Sequence, residues 1–151
     1  MLRISKMTDY AVLILANLAL HDKNLLTAKE IASETHISLP TVQKILKKLN
    51  RKNLVVSKQG ASGGYVLADD TKDISVADLL MKLDGDLSIT QCSSDEDQCQ
   101  VEDFCNIGNA WQMINQRVQW AVNAITLGDV IQPSRIEQFI SANIPVSKQN
   151  H

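Results

Sequence analysis

Thr27–Arg51, TAKEIASETHISLPTVQKILKKLNR, reads as two short helices joined by a tight turn. Thr27 and Glu30 have the spacing of a capping box, in which the hydroxyl accepts from the third helical amide and the carboxylate reaches back to the cap's own N–H. A helix therefore starts at Ala28 and ends near Thr35. His36 and Ile37 make the turn, and Ser38 has N-cap chemistry for the next helix. Pro40 falls in that helix's first turn, where a missing N–H breaks no hydrogen bond. From there to about Arg51, Val42, Ile45, Leu46 and Leu49 recur at helical spacing and predict an inward stripe. Thr41, Gln43, Lys44, Lys47 and Lys48 share the other face. Two short helices with a tight turn, the second polar and basic outside, form a helix-turn-helix, whose second helix enters the major groove of DNA.

Working outward, Ser5 can cap a first helix with Tyr10, Ala11, Ile14, Leu15 and Leu18 on one stripe. After Arg51, the strands Leu54–Ser57 and Gly64–Leu67 flank a glycine-bearing tip, Lys58–Gly63, which makes a wing. A fourth helix, Ser75–Leu83, ends before Gly85. A long helix from Asn109 to Leu127 carries Ala110, Trp111, Ile114, Val118, Ala121, Val122 and Ile125 on one stripe. A small domain has little surface left to cover that stripe, so a homodimer is expected, with packing back onto the first helix as the alternative.

The expected fold is mainly α with a small β-hairpin. It comprises a winged helix-turn-helix DNA-binding domain over 1–70, a linker helix and cysteine loop over 71–108, a dimerisation helix over 109–131 and a C-terminal tail over 132–151, disordered from Pro145.

At 151 residues, 44% of them hydrophobic, the chain has the composition of a soluble globular protein. Its longest apolar stretch, Ala11–Leu20, is too short to span a bilayer and is followed by no cleavage pattern. The expectation is a cytoplasmic protein with no membrane partner and with reduced thiols. The net charge of −2 hides two halves of opposite sign. Residues 1–68 hold ten Lys/Arg and four acids, a net of +6, whereas residues 69–151 hold five and thirteen, a net of −8. A polyanion such as a double-stranded DNA operator would meet the first half only. On the helix, Ser38, Thr41, Gln43 and Lys44 stand near the end that reads base edges, Gln matching adenine and Lys matching guanine. Lys47, Lys48 and Arg51 suit phosphates, and the wing tip adds Lys58 and Gln59 to the candidate DNA-binding residues.

All three cysteines, Cys92, Cys99 and Cys105, fall in one acidic segment as C-x6-C-x5-C. An odd cluster in a reducing compartment points to soft-metal or redox chemistry rather than a disulfide framework. A structural zinc site typically shows pairs two to four residues apart, which this spacing lacks. An iron–sulfur cluster held by a loop suits it better, with zinc and cluster-free thiol sensing as the alternatives. No histidine or lysine lies in the segment to activate a nucleophile, and its acids oppose thiolate formation, which argues against an enzyme. A cluster carrier or electron-transfer protein that binds no DNA would leave the basic half without a role.

Thr8-Asp9-Tyr10-Ala11, Ile37-Ser38-Leu39, Gly60-Ala61-Ser62-Gly63-Gly64-Tyr65, the three cysteines, Ala110-Trp111 and Ile125-Thr126-Leu127-Gly128-Asp129 occur in this order. With these residues the chain resembles the iron–sulfur-sensing winged-helix regulators of bacteria, the group of the cluster-assembly repressor IscR and the nitric-oxide sensor NsrR. Within it the likeness is greatest to regulators of the SUF cluster-assembly system. The resemblance covers about residues 1–130 and implies a homodimeric repressor of cluster-assembly genes whose long helix crosses to the partner. It also implies an iron–sulfur cluster, [2Fe-2S] preferred to [4Fe-4S], with nitric-oxide or redox sensing as the alternative. The histidine that IscR carries three residues after its last cysteine is Gly108 here, which cannot ligate. His21, His36 and His151 are not well placed. The nitric-oxide sensor's ligand in its Thr-Asp-Tyr motif corresponds to Asp9, so Asp9 of the opposite subunit becomes the fourth-ligand candidate, with Glu102 and Asp103 as local alternatives. Gln43 and Gln59 stand where IscR has an acid and a wing arginine, so its two-class site discrimination is not carried over.

Overall fold

Side chains that satisfy the first amides of each helix decide where most of the helices begin. In the computed structural model, which describes residues 4–21, 23–85 and 107–132, Ser5 caps α1 (Lys6–Leu20) by accepting from the Thr8 amide at 3.1 Å. The capping box opens α2 (Ala28–Thr35): Thr27 Oγ1 accepts from the Glu30 amide at 3.2 Å, and Glu30 Oε2 accepts from the Thr27 amide at 2.7 Å. His36 then adopts a left-handed conformation, φ 57°, and the chain turns into α3 (Leu39–Arg51). Ser38 holds the N-cap position of α3, but its hydroxyl pairs with Thr41 Oγ1 at 2.8 Å and meets no amide. Pro40 removes one of the two N–H groups an N-cap side chain ordinarily reaches.

β1 (Val55–Lys58) and β2 (Gly64–Leu67) pair antiparallel, with Val55 opposite Leu67 and Lys58 opposite Gly64. β1 begins one residue later than expected because Leu54 is drawn into the core. Its amide bonds to the Leu49 carbonyl and its own carbonyl accepts from Ala68 and from the Thr71 hydroxyl. Leu26, between α1 and α2, exchanges both backbone hydrogen bonds with Tyr65, at 3.0 and 2.7 Å, so the wing is seated on the helices. That contact accounts for Gly64, and the wing tip's own backbone accounts for Gly63. A Cβ on Gly64 would lie 2.7 Å from the Leu26 carbonyl oxygen, and one on Gly63 would lie 2.4 Å from that of Lys58.

A 3₁₀ turn, Asp69–Asp73, leads to α4 (Val76–Asp84), capped by Ser75. The single helix expected from Asn109 to Leu127 is two helices: α5 (Gly108–Asn123) stops early, and α6 (Leu127–Ile131) starts afresh. Thr126 and Asp129 form a second capping box, and the turn before it pairs with the start of α4. There the Val76 amide donates to the Ile125 carbonyl at 2.7 Å and the Leu127 amide to the Ile74 carbonyl at 2.9 Å. The T-x-x-D signal lies inside an apolar periodicity that runs on through it.

Ile14, Leu15, Leu18, Ile31, Val42, Leu46 and Leu49 are wholly buried where α1, α2 and α3 meet. The same cluster takes in Leu79 and Leu83 of α4 and Leu127 of α6. α6 packs on α1, while α5 lies chiefly against α4 and buries only Asn115 among its described residues. Trp111 and Ile114 remain 37% and 41% exposed on its outer stripe. No helix among the described residues is long and apolar enough to cross a membrane.

Candidate functional site

Burying Val42, Ile45, Leu46 and Leu49 forces the rest of α3 outward. Gln43, Lys44, Lys47 and Arg51 are exposed, with Ser38 exposed and Thr41 half-buried at the start of the helix. Gln43, Lys47 and Arg51 are four residues apart and form one line along the helix, with Lys44 on the adjoining row. No acid stands in the first turn of α3. Lys58 and Gln59 are exposed where β1 enters the wing tip. One polar, cationic helix face beside a projecting hairpin is a surface that can follow a phosphate backbone and present amide and ammonium groups to base edges.

Lys48 is placed differently from the other lysines. It is half-buried, and its ammonium donates to the carbonyl of Leu83 in the last turn of α4. A cation there satisfies a carbonyl with no helical partner and meets the negative end of the helix. Next to it, Asp84 accepts from the Ser5 amide at 3.1 Å, the Ser5 hydroxyl at 2.9 Å and the Thr8 hydroxyl at 2.6 Å. Partial burial pushes the Asp84 carboxyl up. The Thr8 hydroxyl, the Ser5 amide and hydroxyl and the Lys48 charge outweigh it and hold the pKa below the ordinary value of 3.8. A depressed carboxylate contributes stability that is present above 3.8 and is lost as pH falls through the lower folded value. The stability gap between the wild type and Asp84→Asn is therefore expected to be constant near neutrality and to narrow in acid below that point, as read by urea unfolding at several pH values. Neither Thr8 nor Asp84 is recognisable in the sequence as part of a site, since the two lie 76 residues apart.

Asp9 follows Thr8 and is exposed on the first turn of α1. Cys92, Cys99 and Cys105 lie outside the described residues, as do Glu102, Asp103 and His151. Gly108 opens α5. His21 pairs with Glu34 at 2.8 Å, and His36 sits in the left-handed turn. Among the described residues, no group of three or more His, Cys, Asp or Glu could hold a metal ion.

Residues 4–133 match the Rrf2 family, described as iron-dependent transcriptional regulators. The chain is an Rrf2-family transcriptional regulator. This Rrf2 protein is 28% identical over 139 residues to the HTH-type transcriptional regulator IscR of Photobacterium profundum, spanning 91% of this chain and 80% of that one. It is 29% identical over 136 residues to IscR of Sodalis glossinidius, spanning 89% and 82%. Among solved structures, CymR, the global cysteine regulator of B. subtilis, superposes with a TM-score of 0.69 at 27% identity, over 88% of this chain and 98% of that one. IscR of T. potens superposes with a TM-score of 0.66 at 27% identity, over 91% of both chains. The winged-helix fold read from the sequence is thus the Rrf2 fold, and these relatives are regulators of transcription and not enzymes.

Proposed function

We propose that this Rrf2 protein is an iron–sulfur-cluster-dependent repressor of cluster-assembly genes that binds its DNA operator as a homodimer. The observation that carries the cluster reading is the donor set: three thiols within one segment between α4 and α5. The fold alone does not choose the signal, since CymR and IscR superpose about equally well on this chain. Three thiolates are soft ligands suited to an iron–sulfur core, and the exposed Asp9 carboxylate is available as an oxygen donor from the partner subunit. Cys92, Cys99, Cys105 and Asp9 would hold the group, which supplies an inorganic core sensitive to oxidants and to iron supply. Gly108 has no donor atom. An aspartate in place of a histidine favours one second reading, a nitric-oxide or redox sensor on the same site.

Gln43 and Lys44 of α3 read base edges, while Lys47, Arg51, Lys58 and Gln59 hold phosphates. Gln43→Ala is expected to change the preference at one base step by about 1–3 kcal/mol. Lys47→Ala weakens all sequences alike and lowers the slope of log affinity on log salt by about 0.9. Competition gel shifts at several salt concentrations distinguish the two.

Protein purified without oxygen tests the cluster. Visible charge-transfer absorption that disappears in Cys→Ala variants at 92, 99 or 105 supports it, and a colourless protein holding stoichiometric zinc overturns it. Operator affinity measured with and without the absorbing group then shows whether occupancy matters, and bleaching by nitric oxide with loss of binding selects the second reading.

A further inference from the structure

We propose that Lys48 is a positioning residue of the recognition helix and not a phosphate contact: it straps α3 to the C-terminal turn of α4, which Asp84 in turn ties to the start of α1. The proposal rests on the reading of α3 as the helix that meets DNA. By spacing alone Lys48 belongs with Lys44 and Lys47, one turn and one residue away. In the fold it is half-buried, with its ammonium on the Leu83 carbonyl. The neighbouring Asp84 is bound by three donors from Ser5 and Thr8, at the N-terminal end of α1, where a carboxylate is favoured. One end of α4 thus holds both the C-terminal half of α3 and the first turn of α1. Between these contacts Met7, Ala11, Ile45, Leu49 and Leu83 line a narrow crevice, so the three helices are in register both by apolar packing and by the polar strap. Apolar packing tolerates small slides of one helix over another, whereas a charged donor on a single carbonyl fixes one seating. DNA contacts made from the exposed face of α3 depend on that seating.

The strap makes a prediction opposite in sign to simple electrostatics. Asp84→Asn removes a negative charge from a protein that binds a polyanion, so charge alone would tighten binding. It also exchanges an acceptor-only carboxylate for an amide: an N–H₂ toward the Ser5 amide sets donor against donor, and one toward the Ser5 and Thr8 hydroxyls replaces two charge-assisted bonds by neutral ones in which the hydroxyls must accept. We expect Asp84→Asn to weaken affinity for a duplex carrying the region upstream of the protein's own coding sequence by about three- to tenfold. Lys48→Met is expected to weaken it similarly while leaving the salt slope unchanged, where loss of a phosphate contact would lower the slope by about 0.9. The double variant should be no weaker than the worse single, because both changes release one strap. Thr8→Val, which deletes the shortest Asp84 bond without changing charge, should match Asp84→Asn. Stoichiometric titration with the duplex corrects each protein for its folded, binding-competent fraction. Lys47→Ala on the same duplex tests independently whether α3 is the helix on the DNA, so failure of that reading is separable from failure of the strap. Tighter or unchanged binding by Asp84→Asn overturns the strap, as does a Lys48→Met salt slope lowered by a full phosphate contact.

Discussion

Replacing Leu46 with alanine is expected to lower the free energy of unfolding by about 2–5 kcal/mol. Leu46 lies in the middle of α3, is wholly buried, and belongs to the cluster that joins α1, α2, α3, α4 and α6. Truncation removes apolar area from a close-packed site and leaves a cavity that helices held at several points cannot fully close. For a domain whose total stability is about 5–15 kcal/mol, this is a large share. Urea unfolding followed by circular dichroism reads it as a lower midpoint at an unchanged slope. A loss below about 1 kcal/mol would show that α3 is not anchored as described. Lys47→Ala, on the opposite face of the same helix, should change stability by no more than about 0.5 kcal/mol while altering DNA affinity. Stability and binding thus separate by helix face.

Ile114→Glu is expected to convert the proposed homodimer into a monomer, raising the dissociation constant by about a hundredfold. Ile114 is 41% exposed and shares its stripe with Trp111, Val118 and Ala121, and with Met113, Arg117, Val118 and Ala121 it lines a shallow, open surface of α5. A carboxylate placed at the centre of such an interface loses its water without gaining a partner. Analytical ultracentrifugation over a concentration series measures the shift, and an unchanged mass would mean that another surface pairs the subunits. Operator binding should become weaker and lose its steep concentration dependence, because two recognition helices no longer address two half-sites together. The fold of the single chain should survive, since α5 contributes only Asn115 to the buried residues.

The helix-turn-helix was legible because everything that defines it is local. Thr27 and Glu30 are three residues apart, and Val42, Ile45, Leu46 and Leu49 repeat with the helical period. The wing was legible from its glycines, although the sequence does not show why two stand together. Gly64 is required by Leu26, a residue 38 positions earlier that approaches only once the chain has folded. The break between α5 and α6 was missed for a related reason. The Thr126–Asp129 box is visible, but the helix stops at Asn123 because the turn that follows pairs with residues 74–76.

By itself the sequence determined the starts of α1, α2, α3 and α4, the hairpin, the inward stripe of α3 and the opposite charge of the two halves, since each depends on groups a few residues apart or on composition alone. Only the tertiary structure decided which of the basic residues of α3 face outward. Lys47 and Lys48 are adjacent and chemically identical, yet one is exposed while the other is spent on a carbonyl 35 residues away. Periodicity tells which residues leave the core, but the carbonyl that captures Lys48 exists only where the end of α4 is packed against α3.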